Sequence, residues 1–148
     1  MAVLAVAGAA FAYFTSTGSG NGSASVGSST AFTVNVSSDS TGALFPGSGS
    51  ETLTYTVHNG NTGHQNLSAT SAAVAHDVNG DIVHSGTAVT GCKASWFTAT
   101  NHAPTPLPQN LAGGADSSAG SVDVSMQDSG TPQDACQGAS PDITVSAS

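Results

Sequence analysis

Five histidines (His58, His64, His76, His84 and His102) and nine carboxylates are the side chains with the means for metal or acid–base chemistry. His76 and His84 flank an Asn79-Gly80 pair, and whether they share a face turns on a one-residue change of register. Asp77, Asn79 and Asp81 resemble the opening of a calcium loop. A full loop places its glycine after the third acidic position and a glutamate further on. Here Gly80 precedes Asp81 and no glutamate follows. The pattern therefore reads as a polar β-turn, and neither a metal site nor a cofactor is expected. Nucleophilic catalysis fares no better. Serine is so abundant that any Ser/His/Asp match is uninformative, and no G-x-S-x-G occurs. Glu51 is the only glutamate, which weakens a paired-carboxylate glycosidase. The expectation is a protein that is not an enzyme.

Trp96 and Phe97 follow Cys92 closely. One reading makes them a stacking platform for sugar. The favoured one packs Trp96 into the core beside a disulfide, as sandwiches often do. Asn21, Asn35 and Asn66 each open an N-x-Ser pattern, which carries no information in a bacterial chain.

Only two cysteines occur, Cys92 and Cys136, without the spacing of a metal knuckle. In an oxidising compartment such a pair forms a disulfide. The N-terminus agrees with export. Residues 2–14, AVLAVAGAAFAYF, are an apolar run too short for the roughly 20 residues of a bilayer-spanning helix. That length suits the core of a signal peptide. Ala10 and Ala12 form a small-x-small box that predicts a mature chain beginning near Tyr13. The basic segment that normally opens a signal is missing, since only Met1 precedes the run.

The elements that must position these groups are strands. Phe32, Val34 and Val36 alternate with polar residues, as do Leu53, Tyr55 and Val57, then Val122, Val124 and Met126, then Ile143 and Val145. Leu67–Thr70 continues the pattern weakly. Period-two alternation with Ser or Thr facing water marks half-buried antiparallel strands. Asn79-Gly80 predicts a type I′ hairpin between strands at about 72–78 and 81–90. The proline-rich run 103–108 is barred from a central strand and predicts an extended crossover between sheets. The expected fold is all-β: a Greek-key/jelly-roll or Ig-like antiparallel β-sandwich of about seven strands, preceded by an apolar signal-like helix. The expected division is 1–12 as signal core, 13–30 as a flexible Gly/Ser/Thr leader and 31–148 as the sandwich domain.

Composition sets the partners. The formal net charge is −8, and charged residues are 7% of the 148-residue chain against roughly 25% in an average protein. With Lys93 as the one basic residue, no electrostatic footprint for nucleic acid or anionic membrane exists. Serine and threonine, about 40 residues together, keep the surface wet instead.

Two stretches resemble known families. Ala10–Thr15 looks like the processed signal end of TasA/camelysin-like secreted bacterial proteins. Phe45-Pro46-Gly47, with Leu53–Gly60 after it, resembles the Pro-Gly turn, strand and Asn-Gly turn of the same family. The cysteine contexts Gly91-Cys92 and Ala135–Gly138 resemble actinobacterial secreted Ig-like proteins instead. The resemblance implies export, a sandwich fold and a cell-surface or biofilm-matrix role. Three functions follow as expectations. The first is a secreted, non-catalytic structural or adhesive protein. The second is a filament subunit that self-associates by adding residues about 13–36 as a donor strand. The third is a module for carbohydrate, including cell-wall components, or for calcium.

Overall fold

The alternating segments do form strands. The computed structural model describes residues 23–38 and 43–148, so the expected signal core and the Ala10, Ala12 and Tyr13 cleavage box lie outside the described residues. Ten strands occur among those described: β1 (Thr33–Ser38), β2 (Ser50–His58), β3 (Gln65–Leu67), β4 (Thr70–Val74), β5 (Asp81–His84), β6 (Thr87–Lys93), β7 (Phe97–His102), β8 (Gln109–Leu111), β9 (Gly120–Met126) and β10 (Ile143–Ala147). Every ladder is antiparallel. One sheet has the order β1-β2-β9-β7, and three two-stranded ladders pair β10 with β4, β3 with β8 and β5 with β6.

The count exceeds the seven expected for identifiable reasons. The stretch 81–90 is two strands, because Ser85 and Gly86 both adopt positive φ, 50° and 76°, and turn β5 back on β6. Two consecutive positive φ values are the type I′ requirement. The expected I′ turn at Asn79-Gly80 is built differently. Only Gly80 has positive φ there, and its N–H donates to Asp77 O. The strand expected over 72–78 stops at Val74, after which His76 makes an isolated bridge to Ile82. The proline-rich run carries no strand and links β7, in the four-stranded sheet, to β8 outside it.

Burial follows the pleat. In β9, Val122, Val124 and Met126 are buried while Ser121, Asp123 and Ser125 on the other face are half-buried. Tyr55, Val57, Val122 and Val124 of the large sheet meet Leu67 of β3 and Leu111 of β8 in one apolar cluster. A second cluster gathers Ile82, Cys92, Phe97, Met126 and Cys136. Buried polar groups find partners. The Tyr55 hydroxyl lies 2.7 Å from Thr70 Oγ1 and donates to Asn101 Oδ1 at 2.8 Å. Asn59, with no exposed surface, donates from Nδ2 to the carbonyls of Leu111 and Ala112. Each such bond removes the cost of a desolvated, unpaired amide or hydroxyl.

The described part of the leader, residues 23–30, is exposed and forms no strand. It is nevertheless fastened where it meets β1. Asn61 Oδ1 accepts from Thr30 N–H at 2.8 Å, and Gln65 Nε2 donates to Thr30 O at 2.9 Å.

Candidate functional site

The chemically capable groups among the described residues have definite places. Asp77 is the keystone of its turn. Its Oδ1 accepts the backbone N–H groups of Asn79 and Asp81, and its Oδ2 accepts Asn79 Nδ2. The Asp81 backbone bond is the main reason its carboxyl sits below the usual aspartate pKa. Asp81 is buried and accepts from Lys93 Nζ at 2.5 Å. The Lys93 ammonium thus engages Asp81, the third position of the calcium-like pattern, and it also donates to Asn79 O at 3.3 Å.

The histidines do not converge. His76 Nδ1 lies 2.9 Å from Asp77 O, and His84 Nδ1 lies 2.7 Å from Ser140 O. His64 is exposed. The remaining two form surface pairs, His58 with Asp116 at 2.8 Å and His102 with Asp123 at 2.9 Å. Among the described residues, no three His, Cys, Asp or Glu side chains gather as a metal site would require. The His102 pair has a hydroxyl beside it, but in reversed order for a nucleophilic triad. Thr52 donates to Asp123 Oδ1 at 2.6 Å rather than to the imidazole. That bond, followed by the one from His102, holds the Asp123 carboxyl below its usual pKa.

Cys92 in β6 and Cys136 in a short 3-10 helix, Asp134–Cys136, are joined by a disulfide with a Cα–Cα distance of 4.9 Å. Trp96 closes another short 3-10 helix, Ala94–Trp96, and packs half-buried against the cluster that contains this disulfide. The expected neighbourhood of the disulfide is met, but Trp96 lies at the margin of the cluster rather than within the core.

Two concave features stand out. The first is a cleft of about 800 Å³. One wall is a tight turn in which Phe45 and Ser48 exchange backbone hydrogen bonds, both 3.0 Å. Gly47 N–H anchors that turn to Met126 O at the end of β9. The opposite wall is the chain from Asp134 to Pro141, held in place by the disulfide. Phe45, 59% exposed, and half-buried Leu44 supply apolar surface, and Met126 in the lining is buried. Glu51, Asp128 and Asp134 are the charged lining residues, and no basic side chain accompanies them. No sequence motif marks this cleft as a site, because its residues come from two separated stretches, 43–51 and 126–141.

The second feature is an open groove of about 520 Å³ lined by Ala72, Val74, Phe97 and Ala99. β4 and β7 border it, and each ends its own sheet. At one end Asn101 Nδ2 donates to Thr70 O, drawing the two strands together.

Comparison of the chain with family models, curated proteins and solved structures finds no match.

Proposed function

We propose that this chain is a secreted or cell-surface, non-catalytic β-sandwich protein with a structural or adhesive role. The observation that carries the reading is the use made of its few charged groups. Asp77 braces a turn, Asp81 pairs with Lys93, and Asp116 and Asp123 pair with histidines. Asp142 accepts the N–H groups of Ser85 and Gly86 from both its oxygens. Asp77 and Asp142, committed to holding backbone, are poor acids, bases or ligands. The disulfide fits an oxidising compartment. The four-stranded sheet forms one layer of the sandwich, and the ladders that share its apolar cluster supply the other. Residues 31–148 are the domain, 13–30 its leader and 1–12 the signal core removed on export. The chain belongs with TasA/camelysin-like or actinobacterial Ig-like secreted proteins on this reading. Fractionation of the producing cells tests it. The protein should be found in the medium or be shaved from the surface by protease, and a cytosolic pool alone overturns the proposal.

A filament subunit that adds residues about 13–36 as a donor strand is a second reading, favoured by the open groove between the sheet-end strands β4 and β7. Unpaired strand edges are templates for an added strand. Electron microscopy of the mature protein at high concentration should show filaments, and monomers alone would refute it.

A further inference from the structure

We infer that the cleft between the Phe45 turn and the Asp134–Pro141 wall docks a basic segment of a partner protein. The segment carries at least two Lys or Arg side chains on an otherwise apolar stretch. Shape, surface chemistry and charge all bear on the assignment. The volume, about 800 Å³, lies within the range of sites that enclose a ligand. The lining offers Leu44, Phe45 and Pro46 to aliphatic stems, and Phe45, 59% exposed, is an aromatic side chain open to a cation. Glu51, Asp128 and Asp134 line the same cleft and give it one sign of charge. Part of this charge already has a local partner. Asp128 Oδ1 accepts from Gly130 N–H and Asp134 Oδ1 from Gln137 Nε2, and both aspartates are exposed. A lining that combines apolar side chains with carboxylates complements a Lys or Arg side chain, whose stem is apolar and whose head is cationic.

A second copy of this chain is not the partner. The sequence contains one lysine and no arginine, and Lys93 is held by Asp81. A second copy of this chain therefore has no free lysine or arginine to offer. The inference gives the adhesive reading a partner chemistry and rests on that reading only in this respect. Localisation is measured separately, so failure of docking and failure of export are distinguishable.

The test is fluorescence anisotropy of the oxidised full chain with a labelled Leu-Lys-Leu-Arg-Leu peptide. A Leu-Gln-Leu-Gln-Leu peptide serves as the neutral control. Saturable binding of the basic peptide alone is expected. It should weaken at least about threefold in Glu51→Gln and about threefold in Phe45→Ala, and more in the double variant. Asp116→Asn, at the opposite end of β2, removes the same charge and should leave binding unchanged. The inference is overturned by absence of saturable binding, by equal binding of the neutral peptide, or by equal losses in Asp116→Asn and Glu51→Gln. Melting temperatures establish that each variant is folded. Should Phe45→Ala unfold, the Glu51→Gln and Asp116→Asn comparison carries the test alone.

Discussion

Lys93, the one basic residue of the chain, stands directly opposite Asp81 in the β5/β6 ladder, and its Nζ donates to Asp81 Oδ1 at 2.5 Å. Asp81 is 4% exposed, so the pair neutralises a buried carboxylate. Replacing Lys93 by methionine keeps the stem and strands the charge. Fully buried pairs broken this way lose about 3–5 kcal/mol. Because the Lys93 side chain is 41% exposed, a smaller loss of about 2 kcal/mol is expected. The Lys93→Met/Asp81→Asn double variant should recover most of it, which urea denaturation of the four proteins in the cycle measures.

The disulfide joins residues 44 apart in sequence. In the chain-entropy model a loop of that size stabilises the fold by about 4 kcal/mol. Replacing Cys92 and Cys136 together by alanine should lower the urea midpoint accordingly. An unchanged midpoint would mean that the apolar cluster around Ile82 and Phe97 holds the second half of the chain without covalent help.

Gly120 has no room for a side chain. A Cβ built there lies 2.5 Å from Tyr55 Cζ, and the Tyr55 ring is pinned by its hydroxyl to Thr70 and Asn101. Gly120→Ala should therefore cost about 2–3 kcal/mol as the ring is forced off its partners. Tyr55→Phe, which keeps the ring, should cost about 1–2 kcal/mol for the polar groups left unpaired. Thermal unfolding followed by circular dichroism ranks the two.

Asp123 ionises more readily in the folded chain than in the unfolded one, first because of Thr52 and then because of His102. A depressed carboxylate pKa adds stability above the unfolded value. That contribution disappears as pH falls through the folded value. The fold should thus lose this support in acid, below the usual aspartate range. In Thr52→Val the Asp123 midpoint should rise toward the ordinary aspartate value, read by carboxyl NMR titration.

The strands that alternation reveals are those with large apolar side chains on one face, such as Leu53-Tyr55-Val57 in β2 and Val122-Val124-Met126 in β9. β7 escapes because its inward positions after Phe97 are Ala99 and Asn101. A small residue and an amide give no hydrophobic period, and Asn101 faces inward only because Tyr55 and Thr70 bond to it. β3 and β8 are three residues each, too short to show any period. Ser85-Gly86 was a legible turn signal that the stronger Asn79-Gly80 pair overshadowed. The disulfide partners were legible because only two cysteines exist. The acidic cleft was not, since residues 43–51 and 126–141 meet only through tertiary packing.

The central proposal is an exported, disulfide-stapled scaffold. Intact mass spectrometry of native protein, collected from the producing cells and treated with alkylating agent without reductant, tests it most directly. The account predicts mature protein outside the cell, two hydrogens lighter than its reduced form and carrying no alkyl group on Cys92 or Cys136. Intracellular protein with both thiols alkylated would contradict it.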